Sequence, residues 1–298
     1  MTEQQHINQQ QYKPITGQTL AERQQRTWQA CRHLDFIGAI SHVTALDFWR
    51  VERPERFIGT ESIHITVRDD KHRKQPVPGT RIHMWGRLSD RHIRTTQDGL
   101  HVLGPEATWA LMAQSLHIDE LVEVAESLIR HRHTTKQRLH EFVEAESFLG
   151  KKRCRLALVL TVPGSDSPKE TQLRLCLHAF GLRHFAVNYR VPGMASEHGG
   201  AVTLDLADPE LLIGIEYEGD HHRTDKLQWR RDISKRRQLE AAGWTIMRVT
   251  QLDLSTDMRR AGLAFSVAML RARKTGQPVS LSTPIPWHQL ADRRKHLL

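Results

Sequence analysis

The stretch VTLDLADPELLIGIEYEG, residues 202–219, decides the fold of the C-terminal half of this chain. Apolar residues recur at every second position on both sides of Asp208-Pro209, a pattern typical of two β-strands joined by a turn. If Pro209 and Glu210 are the central turn residues, one face of the hairpin is wholly apolar. The facing pairs expected on it are Leu206–Ile213, Leu204–Ile215 and Val202–Tyr217.

The opposite face of the hairpin collects carboxylates. Asp205 is expected opposite Gly214 and Thr203 opposite Glu216, with Glu218 two residues further along. Asp205 and Glu216 are then diagonal neighbours, roughly 7–8 Å apart at the backbone, and Gly214 leaves open space beside Asp205. Such a group repels itself unless a hard divalent cation such as Mg²⁺ binds its oxygens. The alternative is a solvated polar face, on which acidic residues are common.

The elements predicted around the hairpin complete one domain. The expected order is a helix over 168–180, strands over 184–191, 201–207 and 211–218, a helix over 226–242, a strand over 244–250 and a helix over 256–273. This αβββαβ order mixes a hairpin with a helix crossover. We therefore predict an α/β (α+β) fold that is neither a doubly wound sheet nor a sandwich.

A basic helix follows the carboxylates. Its positive side chains are predicted to contact nucleic-acid phosphates; they are Arg223, Lys226, Arg230, Arg231, Lys235 and Arg236. Cationic charge for the backbone beside negative charge for a metal ion suits a phosphodiester substrate. A solvated helix face is the alternative. His222, just before the helix, could act as a general base or bind a phosphate oxygen, or it could be a loop histidine without a role.

Glu170 has two interpretations. Ser167-Pro168-Lys169-Glu170 forms a capping box with proline at the first helical position, which alone accounts for the glutamate. Glu170 also lies on the stripe continued by Leu173 and Leu177, which must face the sheet, so its carboxylate could reach the site. Capping is the interpretation that these residues favour.

Composition sets the broad class. Lys and Arg outnumber Asp and Glu by 43 to 34 in 298 residues, and the net charge of +9 favours association with polyanions. No apolar run is long enough to span a membrane, and the Gln-rich N-terminus lacks the features of a signal peptide. Cys31, Cys154 and Cys176 are widely spaced and odd in number, so no disulfide framework is indicated. We expect a cytoplasmic protein.

Four motifs in the C-terminal half keep a fixed order. They are Glu170-x-x-Leu173, Asp205, Glu216-Tyr-Glu218-Gly219-x-x-His222 and Asp232-x-x-x-Arg236-x-x-Leu239-x-x-x-Gly243-Trp244. This half resembles the very-short-patch-repair (Vsr-like) endonucleases, and still more closely a related group of bacterial domains of unknown function within the PD-(D/E)XK superfamily. The resemblance implies a restriction-endonuclease-like core. In that core Asp205 and Glu216 bind the metal ion, Glu218 holds the third motif position, His222 carries a proton and Glu170 is a supporting acid. The usual motif lysine is absent, because Glu218 stands in its place.

The N-terminal half mixes helices and strands. Helices are predicted over 20–33, 41–49, 105–114 and from Asp119 onward, and strands over 62–67 and 81–85. Three stretches resemble an AbiEi-type antitoxin and transcriptional-regulator domain: Ile40-Ser-His-Val-Thr-Ala45, Ser62-Ile-His-Ile-Thr-Val67 and Val102-Leu-Gly-Pro-Glu-Ala-Thr-Trp109. The resemblance implies DNA or partner binding through a winged-helix-like element. A structural domain without nucleic-acid contact is the alternative.

The expected organisation has five parts: a disordered tail over 1–17, an AbiEi-like domain over 18–135, a connector over 136–166, a nuclease-like domain over 167–273 and a C-terminal tail over 274–298. The leading hypothesis is a Mg²⁺-dependent DNA endonuclease, with Mn²⁺ as an alternative cofactor, that hydrolyses phosphodiester bonds with metal-activated water. The second is a DNA-binding regulator of antitoxin type with a degenerate nuclease half, and a third is a purely structural metal site. The partners expected are DNA and a toxin or other protein that binds the N-terminal domain, with no membrane.

Overall fold

The computed structural model describes residues 20–31, 38–60, 62–69, 71, 79–195, 199–219 and 226–286, without the side chains of 20, 30 and 226–231. The chain forms two compact units, Met1–Leu158 and Val159–Leu298. Both units combine helices with a mixed β-sheet, so the α/β class predicted from the sequence is confirmed.

Unit 1 is built on a five-stranded sheet. Its strands are β1 (Gly38–Ile40), β2 (Ile63–Val67), β3 (Thr80–Met84), β4 (Ile93–Thr95) and β5 (His101–Leu103), in the order β3-β2-β1-β5-β4. Its helices are α1 (Leu20–Cys31), α2 (His42–Phe48), α3 (Pro105–Met112), α4 (Ile118–Arg130), α5 (Lys136–Ala145) and α6 (Lys151–Leu160), the last of which ends just inside unit 2. The predicted helices and strands of this half are confirmed to within a few residues, whereas β1, β4, β5, α5 and α6 had no counterpart in the sequence analysis.

Alternate residues of this sheet feed two apolar cores. Ile40 and Val102 pack with Cys31 of α1 and Ala45 of α2 on one side. Their neighbours Ala39 and Leu103 pack on the other side with Ala107 and Leu111 of α3, and Phe142 of α5 lies against the same cluster. Unit 1 therefore has helices on both faces of its sheet.

Unit 2 follows the predicted element order. It contains α7 (Pro168–Ala179), β6 (Ala186–Ala195), β7 (Ala201–Asp208), β8 (Ile213–Glu218), α8 (Lys226–Ala241), β9 (Thr245–Thr250), α9 (Gln251–Leu254) and α10 (Asp257–Thr275). The sheet order is β6-β7-β8-β9, antiparallel except for the parallel pair β8 and β9 that α8 connects. The hairpin and the helix crossover are thus both confirmed; only the short α9 was not predicted.

Helices cover both faces of the second sheet. Leu173 and Leu177 of α7 and Val267 of α10 pack against Ile213 and Ile215 of β8. On the opposite face, Leu239 of α8 packs with Trp244, Val202 and Leu204. Burying a Leu or Ile side chain of this kind contributes about 1.5–3 kcal/mol each, so the central strands are held from two sides.

The register of the β7–β8 hairpin differs from the predicted one by two residues. Leu206 pairs with Ile215, Ala207 with Gly214 and Asp208 with Ile213. The turn is longer than expected because Asp208 Oδ1 accepts the main-chain N–H of Leu211 (3.3 Å) and Leu212 takes a left-handed φ of 51°, which delays the start of β8 to Ile213. A shift of two keeps the side-chain faces of the paired residues 206–208 and 213–215.

The expectation that Gly214 leaves open space beside Asp205 is wrong. Gly214 pairs with Ala207, not with Asp205. A Cβ at Gly214 would lie 2.7 Å from Ile246 Cδ1 and 2.9 Å from Leu204 Cδ1, so the glycine is required by close packing between the strands and their side chains.

Candidate carboxylate site

A kink in strands β6 and β7 sets the position of Asp205. Val187 pairs with Leu206 and Tyr189 with Leu204, yet the intervening Asn188 has a left-handed φ of 45°. Leu206 packs on the α7 and α10 side of the sheet, while Leu204 packs on the α8 side. The prediction of one continuous apolar face on β7 is therefore wrong, because the strand changes faces at Asp205.

The carboxylate of Asp205 lies between β7 and β8. Its Oδ2 accepts the main-chain N–H of Tyr217 at 2.7 Å. Burial nevertheless raises the pKa of Asp205 to about 6, against the effect of that hydrogen bond, and the negative charge of Glu216 adds to the rise. Asp205 is thus a partly buried acid whose charge is incompletely compensated.

Glu216, on the neighbouring strand, carries the second carboxylate of the site. Lys235 of α8 forms an ion pair with it through Nζ and Glu216 Oε1. The same ammonium group acts on Asp205, where it lowers the pKa. The sequence predicts that Lys235 contacts phosphates. In the structure its ammonium group pairs with Glu216 and also acts on Asp205.

Glu170 caps α7 as the sequence predicts, and its carboxylate also interacts with that of Asp205. It caps α7, since its main-chain N–H donates to Ser167 Oγ (3.2 Å) and its Oε1 accepts from the same hydroxyl (2.8 Å). Its Oε2 accepts the N–H of Asp166 at 2.8 Å. Burial raises the pKa of Glu170 to about 7, and the charge of Asp205 contributes to this. The capping glutamate therefore also interacts electrostatically with Asp205.

Asp166 is a site residue that the sequence analysis missed. Its charge raises the pKa of both Asp205 and Glu170, and its Oδ2 accepts a hydrogen bond from the Asn188 amide at 2.8 Å. The residue just before a capping box has no distinctive sequence pattern. Asp166 is connected to the site only by its contact with Asn188, where the backbone is kinked.

The remaining predicted residues are placed differently. Glu218 forms an ion pair with Arg248 at 3.5 Å, and both side chains are more than one third exposed. Arg236 donates to Glu240 at 2.7 Å on the exposed face of α8. His222 and Arg223 lie outside the described residues, as do the side chains of Lys226, Arg230 and Arg231.

We define the carboxylate site as Asp166, Glu170, Asp205, Glu216 and Lys235. Asp205 connects its members, because its pKa responds to Glu216, Lys235 and Asp166 and its charge raises the pKa of Glu170. The pKa values of Asp205 and Glu170 are raised toward neutrality, a property that is more frequent at functional sites than at structural ones.

Comparisons with known proteins do not name a function. The chain is similar to two uncharacterized proteins of Mycobacterium tuberculosis, MT2308 of strain CDC 1551 / Oshkosh and Rv2248 of strain ATCC 25618 / H37Rv. Each is 24% identical over 219 residues, which cover 73% of this chain and 77% of the relative. No family model and no solved structure matches the chain.

Among the helices that the structure describes, none combines the length and the apolar character that crossing a membrane requires.

Proposed function

We propose that unit 2 is a Mg²⁺-dependent DNA endonuclease domain of the Vsr-like PD-(D/E)XK type. The observation that carries the proposal is the carboxylate site, in which acids from β7, β8 and the start of α7 act on one another with a single lysine between them. Mutual repulsion of this kind destabilises the fold, and helix capping accounts for Glu170 but not for the pair of acids Asp205 and Glu216.

The chemistry of the donor atoms suits a hard divalent cation, with two carboxylates from the protein and water completing the coordination. All the donors are carboxylate oxygens, the ligand type that Mg²⁺ and Mn²⁺ favour. Burial, together with the neighbouring negative charges, raises the pKa of Asp205 and of Glu170, so a bound cation would stabilise both carboxylates. We assign Asp205 and Glu216 as the groups that hold the ion, with Glu170 supporting Asp205.

The chain's own residues divide the remaining work. When bound, Mg²⁺ supplies positive charge that polarises a phosphoryl oxygen and makes a water more acidic. Tyr217 N–H fixes the orientation of the Asp205 carboxylate. Lys235 adds a cation beside Glu216, where it can stabilise charge that develops on a phosphate, so α8 provides the basic side chain that position 218 lacks.

The fold is consistent with this assignment. The αβββαβ order, the parallel pair β8 and β9 and the helices on both faces support a restriction-endonuclease-like core. The basic sequence of α8 places positive charge on the helix that carries Lys235, which suits a phosphodiester strand. We propose DNA as the partner of this surface.

A plasmid-nicking experiment tests the proposal. Supercoiled DNA is incubated with the full chain and Mg²⁺ or Mn²⁺, and wild type is compared with Asp205→Asn and Glu216→Gln. Both substitutions keep the size of the side chain but remove its charge. We expect the nicking rate to fall by more than about 100-fold while DNA binding is retained. Loss of a group that only supports a metal ligand typically costs no more than about 100-fold.

Glu210→Gln provides the matched control. Glu210 is exposed in the turn of the same hairpin, so it changes the same charge without touching the carboxylate site. Salt-sensitive DNA binding without nicking in either metal would contradict the enzyme and favour the regulator of antitoxin type. Equal nicking by wild type and Asp205→Asn would contradict the site.

A further inference from the structure

Three histidines meet in unit 1, in a region that the proposed nuclease activity does not use. They are His42 at the start of α2, His64 in the middle of β2 and His83 in β3. One ring nitrogen from each lies within 4.8 Å of the other two. His64 Nδ1 and His83 Nε2 are 3.0 Å apart.

The sheet explains why two of these rings converge. β2 and β3 are parallel, with His64 beside Arg81 and Thr66 beside His83. His64 and His83 are therefore on the same face of neighbouring strands, two positions apart in register. Both histidines share this strand face with the polar residues Thr66 and Arg81.

The third histidine is held in an unusual backbone conformation. His42 has a φ of 53°, in the left-handed region that few non-glycine residues adopt. Its Nδ1 lies 2.9 Å from Ser41 Oγ, which leaves Nε2 for another partner. Surrounding structure maintains such strain only where packing fixes it, and it is found preferentially at binding sites.

His42 and His64 are buried and His83 is half-buried, which favours neutral over charged imidazoles. His42 and His64 are 7% and 5% exposed. Burial lowers the pKa of His64 and of His83 to about 4, and the positive charge of Arg81 adds to this. Neutral imidazole is the form that binds a metal ion, because its unprotonated nitrogen has a free lone pair.

Two more observations indicate a ligand. A cavity of about 160 Å³ is lined by all three histidines together with Arg81, Gln114 and Ser115. Thr66, beside His83 on the same face, is fully buried, and its hydroxyl has no hydrogen-bond partner among the described residues. A buried polar group without a partner is uncommon unless something else fills the space beside it.

We propose that His42, His64 and His83 form a Zn²⁺ site whose fourth position opens into this cavity. Imidazole nitrogens select zinc and neighbouring transition metals and do not suit Mg²⁺. Three protein ligands and one open position are the arrangement of zinc ions that bind an exchangeable ligand, whereas structural zinc is enclosed by four. The His42 and His83 rings are stacked with their centroids 3.7 Å apart, so these rings must turn on binding for all three nitrogens to reach one Zn²⁺ at roughly 2.0–2.1 Å.

The charge at the open position favours a small anion. Three neutral imidazoles leave the two positive charges of zinc uncompensated, and Arg81 adds a third beside the cavity. A carboxylate or an inorganic oxyanion would be attracted by both groups.

A metal titration with the full chain, free of any histidine tag, tests the proposal. After treatment with a chelator, Zn²⁺ binding is followed by calorimetry in excess Mg²⁺, which competes for the carboxylate site but not for imidazoles. His64→Gln and His83→Gln are expected to weaken this binding by more than the roughly 10–100-fold that loss of a supporting group causes. His101→Gln is the control, because His101 is exposed on β5 of the same sheet.

Co²⁺ substitution in the wild type provides a readout that needs no variant to fold. We expect the visible bands of four-coordinate Co²⁺ with nitrogen ligands, and a change in those bands when acetate or phosphate is added. Absence of the bands, or an identical spectrum and affinity in His64→Gln, would overturn the site. Plasmid nicking tests the carboxylate site and is measured separately from Zn²⁺ binding. The nuclease proposal and the zinc proposal therefore succeed or fail independently.

Discussion

Asp47 in unit 1 and Asp205 in unit 2 show two ways in which a fold treats an enclosed acid. Asp47 is 1% exposed, and its carboxylate accepts hydrogen bonds from Arg53 Nε (3.0 Å) and Arg23 Nε (3.3 Å). Asp205 has one main-chain N–H and faces further acids, and its pKa is raised to about 6. Removing one member of a compensated buried pair is costly, whereas an incompletely compensated buried acid is more frequent at functional sites than elsewhere.

The largest effect on stability is expected from Asp47→Ala. Removal of this carboxylate leaves Arg23 and Arg53 enclosed without their anion, and breaking a buried pair costs about 3–5 kcal/mol. Urea unfolding monitored by circular dichroism measures the loss. Asp98→Ala, in an exposed turn of the same unit, should change the free energy of unfolding by less than about 0.5 kcal/mol. A similar small value for Asp47→Ala would contradict the structural role of Asp47.

Glu52→Gln extends the comparison to a second acid of unit 1. Burial alone would raise the pKa of Glu52, yet the neighbouring His131 ring, 3.6 Å away, and the charge of Arg130, 2.7 Å away, hold it at about 2. Because the folded-state pKa lies below the ordinary 4.5, the charge stabilises the fold above that value. This contribution is lost as the pH falls through about 2.

We expect Glu52→Gln to cost about 2–3 kcal/mol at pH 7, and the difference from wild type to shrink as the pH is lowered from about 4.5. Thermal unfolding at several pH values measures it. Glu141→Gln, exposed on α5, is the control. A difference that does not depend on pH would show that packing, and not charge, is lost.

Asp205→Asn should act in the opposite direction from Asp47→Ala. The amide can still accept the N–H of Tyr217, but it removes a charge that neighbouring acids repel. In Mg²⁺-free buffer at pH 8 we expect the variant to be about 1 kcal/mol more stable than wild type. Added Mg²⁺ should then raise the unfolding temperature of wild type only, because an ion that binds the folded state stabilises it. Destabilisation of the variant would place Asp205 in the same class as Asp47.

The sequence predicted unit 2 well because its elements depend on local patterns. The alternation around Asp208-Pro209, the capping box at Ser167 and the basic run of α8 each specify an element within a short window. The register was wrong because the bond from Leu211 N–H to Asp208 Oδ1 and the left-handed Leu212 lengthen the turn, and neither is visible in an apolar pattern.

The sites were harder to predict because they depend on contacts between distant residues. Asp166 and Lys235 reach Asp205 and Glu216 only through the fold. His42 and His64 lie in two of the three stretches, 40–45 and 62–67, on which the resemblance of the N-terminal half depends. Their meeting with His83 follows from the parallel pairing of β2 and β3, which no local pattern specifies.

The smallest effect on stability, and the one that separates binding from chemistry, is expected from Arg236→Ala. Arg236 pairs with Glu240 one turn along α8, and both side chains are about half exposed, so the pair contributes roughly 0.3–0.5 kcal/mol. If α8 contacts DNA phosphates, its loss should weaken binding uniformly across sequences and reduce the salt dependence by about one phosphate contact, with nicking at saturating protein unchanged. Fluorescence anisotropy of a labelled duplex over a range of salt concentrations measures this, with Arg155→Ala on α6 as the exposed control.

Lys235→Ala, one residue away, should instead reduce nicking at saturation, because its side chain is paired with Glu216. If the two variants had the same effect, Lys235 would be only another phosphate contact and the carboxylate site would lack its cation.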